Sequence, residues 1–234
     1  MKPIEEYTDA IIYHHLGMGD HVICNGLVRF IVKHGNFDHL ALVVKDINVK
    51  NISRMFSDLS QLTILSVKDD QSFQNFYNQN NSVPLIRVGF EMTRFSEFDK
   101  SFYDCVNVPF NERWDSWWIE RDLEQEARLI KELGIDDEYI FVHDSSSVGD
   151  FKLKINSNLR QIRPQKLECE DTMFDWIGVM ERAKEIHCID SSFMHIVDSY
   201  QFNNKKYYHT IKSSQLNNGI GFTLKNDWEL VNYG

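Results

Sequence analysis

Two blocks in which short apolar strands alternate with amphipathic helices predict an α/β protein of two parallel-sheet halves in tandem. Three observations carry this. The apolar runs at residues 10–15, 40–44, 62–67, 85–88, 139–142 and 186–189 are rich in β-branched residues and do not alternate with polar ones, as a sheet buried on both faces requires. The segments between several of these runs repeat their apolar residues at helical spacing, and helical crossovers make the strands parallel. The length, 234 residues at 42% hydrophobic and 13% aromatic, suffices for two cores of roughly 110 to 120 residues each.

The first strand runs into Leu16-Gly17-Met18-Gly19-Asp20, after which Ile23, Leu27, Phe30 and Ile31 predict a helix. Residues 40–44 form the second strand, and Ile52, Met55, Phe56 and Leu59, at i, i+3, i+4 and i+7, the helix after it. Residues 62–67 give a third strand, Phe73, Phe76 and Tyr77 mark a short helix, and residues 85–88 give a fourth strand. The pattern then breaks into Phe95, Phe98, Phe102, Tyr103, Phe110, Trp114, Trp117 and Trp118, read as a crossover between halves at 1–118 and 119–234. A helix over 117–133 is stopped by Gly134. Alternation restarts with strand 139–142, an Asp-Ser-Ser-Ser loop, an extended stretch at 161–164, a helix carrying Met173, Ile177, Met180 and Ala183, and strand 186–189. Asp190-Ser191-Ser192 opens another helix. Both halves read as Rossmann-like.

Charge and cysteines narrow the class. The net charge is -10, with 11 basic against 15 acidic residues up to position 118 and 14 against 20 after it. Neither half is a basic module, so no nucleic-acid partner is expected. The acidic N-terminus and the lack of a long apolar run predict neither a secretory signal nor an integral membrane segment. Cys24, Cys105, Cys169 and Cys188 form no CxxC pair. A soluble, cytoplasmic protein is the expectation.

Three loops have the composition of sites. Gly17, Met18 and Gly19 follow the first strand, where a parallel sheet places its ligands. Val22 occupies the third position of a dinucleotide fingerprint, and no Gly-Lys-Ser/Thr is present. Asp20 either caps the following helix or acts on a ligand. In the second loop, a strand delivers Asp190, Ser191 and Ser192 to a helix start whose free N–H groups suit a phosphate, with His195 one turn in. The alternative there is a serine cap and a packed histidine. The third loop, residues 143–152, offers Ser145 and its neighbouring hydroxyls with Lys152 close by, or is a solvated turn. His14, His15 and His21 do not make a metal site, because adjacent strand residues point to opposite faces. Trp114, Trp117 and Trp118 either stack on a ligand ring or pack between domains.

Two of these loops give the chain a resemblance. Leu16-Gly17-Met18-Gly19-Asp20 and Asp190-Ser191-Ser192-Phe193-Met194-His195 are similar to the L-G-x-x-G-D and D-S/T-x-x-x-H loops of GT-B glycosyltransferases of the heptosyltransferase-like group, glycosyltransferase family 9. The first motif is one residue shorter between its glycines, Ser192 stands where a glycine is common, and the chain is a reduced version of such enzymes. The resemblance implies two Rossmann-like halves facing across a cleft, the first on the acceptor side and the second on the nucleotide-sugar side. It implies that Ser191, Ser192 and His195 hold the diphosphate of a nucleoside diphosphate sugar, with Lys152 as a phosphate-binding lysine and Ser145 beside it. Asp20 would be the general base on an acceptor hydroxyl of a carbohydrate or lipid-linked molecule.

Sugar transfer needs the leaving diphosphate neutralised and the acceptor hydroxyl deprotonated. None of the 20 aspartates forms an Asp-x-Asp pair, so dipoles, hydroxyls, His and Lys must do the first, and a reaction without metal or cofactor is expected. The rival reading is a catalytically inert nucleotide or nucleotide-sugar binding protein. A serine hydrolase built on Asp190, Ser191 or Ser192, and His195 lacks a G-x-S-x-G elbow, and adjacent residues on one turn do not reach triad geometry.

Overall fold

Ile11 and Ile12, β-branched residues that favour a strand, build β1 (Asp9–Tyr13), whose Ile12 is shut off from solvent between Leu42 and Ile86 of the neighbouring strands. The structure, a computed structural model, describes residues 9–80, 82–90, 94–165, 172–200, 202–212, 221–225 and 227–233. The chain divides into two units, Met1–Glu120 and Arg121–Gly234.

In the first unit, β1 is followed by α1 (Met18–Ile23) and α2 (Asn25–His34), β2 (His39–Lys45), α3 (Val49–Met55), β3 (Leu62–Val67), α4 (Asp70–Gln79) and β4 (Leu85–Arg87). All pairings are parallel, in the order β3-β2-β1-β4. The amphipathic face of α2 buries Leu27, Val28, Ile31 and Val32; each such side chain contributes roughly 1.5 to 3 kcal/mol. Ile11, Tyr13, Val43, Val67 and Phe73 form a core cluster. Asp69 caps α4 by accepting the Ser72 N–H at 2.7 Å.

The aromatic stretch, read as a crossover, instead contains α5 (Phe98–Asp104) and α6 (Glu112–Asp115) and packs on the first unit. Tyr103 Oη donates to the Ile23 carbonyl at 2.8 Å and accepts the Leu27 N–H at 3.2 Å, both buried. The Trp118 backbone N–H and carbonyl both bond the Asn25 amide at 3.1 Å, and Arg29 also donates to that carbonyl. Trp118 is thus held to α2 through its backbone.

The helix expected over 117–133 begins later, as α7 (Leu123–Glu132). Asp122 caps it through the Gln125 N–H at 3.0 Å, so the amphipathic residues before it stay outside. Gly134, at φ +57°, ends it as the sequence indicates. Arg121 then ties down the start of the second unit through Glu126 at 2.7 Å, Glu181 at 2.9 Å and the Tyr200 hydroxyl at 3.0 Å.

The second unit continues with β5 (Tyr139–His143), a hairpin of β6 (Ser145–Ser146) and β7 (Gly149–Asp150), β8 (Arg160–Ile162), α8 (Ile177–Arg182), β9 (Glu185–Cys188), α9 (Ser192–Tyr200), β10 (Lys205–His209) and β11 (Trp228–Val231). The five-stranded sheet is parallel, in the order β11-β10-β9-β5-β8. Counted within the unit this is 2-1-3-4-5, a doubly wound order. The crossover from β5 to β8 is extended rather than helical, because Phe151, Leu153 and Ile155 alternate with lysines and an asparagine at period two. Among the described residues no helix is long and apolar enough to cross a membrane.

Candidate functional site

In open α/β sheets, ligands bind outside the carboxyl ends of the strands where the strand order reverses. In the second unit that point lies between β5 and β9, and it gathers Asp190, Ser191 and His195. Asp190 Oδ1 lies 3.5 Å from His195 Nε2. Asp190 Oδ2 lies 3.1 Å from Lys212 Nζ, which also donates to the Asp190 carbonyl at 2.9 Å. Burial pushes the Asp190 carboxyl up, but His195 and Lys212 outweigh it and hold it at about 2. The carboxylate is therefore a fixed anion between two bases. His195 is buried, with its ring edge-on to Phe222 at 5.0 Å.

Ser191 is the cap of α9: its Oγ accepts the Met194 N–H at 3.3 Å. The same oxygen lies 2.9 Å from His143 Nδ1 at the end of β5. Burial pushes His143 down to about 4, so the ring is neutral and shares one hydrogen bond with the Ser191 hydroxyl. The hydrolase reading fails on this geometry, since Ser191 turns to a weakly basic His143 while His195 turns to Asp190. Burial pushes the Cys188 thiol up, which leaves it inert. Ser192, the first residue of α9, is half-buried.

Ser145 and Lys152 lie apart from this arrangement, both exposed, on the hairpin and the extended crossover. Lys152 lines a depression of about 530 Å³ with Asp144, Asp150, Phe151, Gln161 and Arg163, where Arg163 pairs with Asp144 at 2.9 Å.

In the first unit the strand order reverses between β1 and β4. Gly17 is the cap residue of α1, and Asp20 stands third in the helix rather than at the cap. A Cβ on Gly17 would lie 2.6 Å from Asp20 Oδ2, so the glycine makes room for a carboxylate folded back over the first turn. Gly17 is exposed, and Met18, Gly19 and Asp20 are half-buried. Beneath them, His14 and His21 meet edge-on at 4.4 Å; burial pushes His14 down to about 4 and His21 well down. His15 stacks on Phe90 at 4.8 Å. Among the described residues, no three His, Cys, Asp or Glu side chains gather as ligands for a metal ion.

Sequence reasoning missed Lys212 and gave His143 no role of its own. Lys212 lies in a stretch without a motif, whereas His143 was visible as the residue that ends a strand and opens the third loop.

These units define a doubly wound α/β fold of the GT-B-like class. No family model and no curated protein matches the sequence. Solved structures do match. The glycosyl transferase family 9 protein from Veillonella parvula DSM 2008 is similar over 100% of this chain and 90% of its own, at 9% identity and a TM-score of 0.61. The iron-containing dodecameric glycosyltransferase TibC from enterotoxigenic E. coli H10407 is similar over 89% of this chain and 59% of its own, at 12% identity and a TM-score of 0.51. TibC in complex with ADP-D-beta-D-heptose gives a TM-score of 0.49 at the same identity and coverage. The fold is thus similar to that of a glycosyl transferase family 9 protein and of the glycosyltransferase TibC.

Proposed function

We propose that the chain is a metal-independent glycosyltransferase that moves a sugar from a nucleoside diphosphate sugar to an acceptor hydroxyl. The observation that carries this is the Asp190–His195 pair at the opening of α9, at the strand-order reversal of a sheet in a fold similar to that of a family 9 transferase. In this reading the first-turn N–H groups of α9, the Ser192 hydroxyl and His195 take up the charge of the leaving diphosphate. Ser191 shapes the loop as cap and partner of His143. Asp20 acts as base toward a carbohydrate or lipid-linked acceptor. The first unit is the acceptor side and the second the nucleotide-sugar side. Metal independence follows from the absence of an Asp-x-Asp pair in the sequence.

The test is incubation with a panel of nucleoside diphosphate sugars, following nucleoside diphosphate release and thermal stabilisation. Release and stabilisation by the same donor support the proposal. Stabilisation without release, even with carbohydrate acceptors added, selects an inert nucleotide-sugar binding protein, a reading favoured by the Asp20 carboxylate lying over its own helix turn. Neither effect with any donor overturns both.

A further inference from the structure

We infer that Lys212 is the cation that receives the leaving diphosphate and that Asp190 is its positioning residue; this rests on the transferase reading. The resemblance gave the phosphate-binding role to Lys152, but the structure puts that side chain in solvent on the extended crossover, beside Asp150 and Asp144. Lys212 comes three residues after the end of β10 and reaches the loop that follows β9. Its ammonium spends two hydrogens on one residue, the Asp190 carbonyl at 2.9 Å and Asp190 Oδ2 at 3.1 Å. An ammonium has three hydrogens and a compact charge, so the third is left for a ligand. Asp190 follows β9, which pairs with β5, so the ammonium that bonds it stands at the strand-order reversal. Only about a fifth of the side chain is exposed, so it is fixed before any ligand arrives.

Asp190 has the role that a carboxylate plays behind a metal-bound histidine: it orients the donors that meet the ligand and is itself satisfied by them. Its two oxygens are divided between His195 and Lys212. A diphosphate bound here meets two oriented N–H donors, held by the one carboxylate. Lys152, by contrast, would first have to leave solvent and lose side-chain freedom.

Calorimetric titration of the full chain with uridine, adenosine, guanosine and cytidine diphosphates, and with the matching monophosphates, tests this. Lys212→Met is expected to weaken the diphosphate that binds by roughly tenfold to a hundredfold, to weaken the monophosphate less, and to be largely rescued by Lys212→Arg. Lys152→Met is expected to change nothing. If Lys212→Met does not fold, Lys212→Met with Asp190→Asn is compared with Asp190→Asn alone, and the further loss between the two is the share of Lys212. A wild-type chain that binds, with Lys212 variants of equal affinity or with the loss appearing in Lys152→Met, overturns the assignment to Lys212 alone. A wild-type chain that binds no nucleoside diphosphate overturns the transferase reading beneath it.

Discussion

Asp99 of α5 and Arg113 of α6 form an ion pair with both side chains wholly out of solvent. Removing one charge strands the other, so Arg113→Met is expected to cost about 3 to 5 kcal/mol of stability in urea unfolding, whereas Arg113→Met with Asp99→Leu recovers most of it. Equal losses in the single and double variants would show that packing, not charge, holds the site. Asp20 poses a different question, since its carboxylate lies over the first turn of α1. Asp20→Asn keeps the shape and loses basicity; donor binding is expected to survive while transfer falls on the order of 10²-fold to 10⁴-fold. Loss of stability with transfer intact would make Asp20 a helix-start residue. At this scale, Asp190, Ser191 and His195 were legible because they share one strand–helix turn. Lys212 was not, because it lies 22 residues from Asp190 and meets it only through the pairing of β9 with β10.

Helix α2 meets α6 where Gly26 has no side chain, and a Cβ there would collide with the Glu112 carbonyl oxygen. Alanine is the better helix former by about 1 kcal/mol, yet the clash is with backbone that cannot rotate away. Gly26→Ala is therefore expected to destabilise by about 1 to 3 kcal/mol, read as a lowered urea midpoint; a raised midpoint would mean that α6 yields freely. The same contact shows why the helices of the aromatic stretch were not legible. Its helices are short and aromatic, and they are held by Tyr103, Asn25 and Arg29 rather than by a long apolar stripe. Strands with continuous apolar runs were legible. β10 was not, because Lys205, Lys206, Tyr207, Tyr208 and His209 place aromatic and basic residues where a buried strand shows aliphatic ones.

The whole chain carries nine histidines, and burial pushes His14, His143 and His209 each down to about 4. The unfolded chain takes up protons near pH 6.5 that these folded sites refuse until about 4. Their contribution is thus complete above 6.5 and is lost as pH falls through that window, by about 3 kcal/mol for His14 alone at its foot. Asp190 adds a second loss, beginning below its ordinary value of 3.8 and ending near 2. Melting temperatures are expected to be level above pH 7 and to drop steeply between 6.5 and 4; a flat profile down to pH 5 would show that these rings charge in place. The pinning of Trp118 also has an optical consequence. Of the five tryptophans, Trp117 and Trp176 are buried, whereas Trp118 is 46% exposed and lies 5.0 Å from the Arg29 guanidinium. Iodide reaches the exposed Trp118 indole ahead of the buried ones, so emission quenched in the native protein carries a contribution from the last residues of the first unit. Fluorescence then reports on the Asn25 clamp without any label being attached.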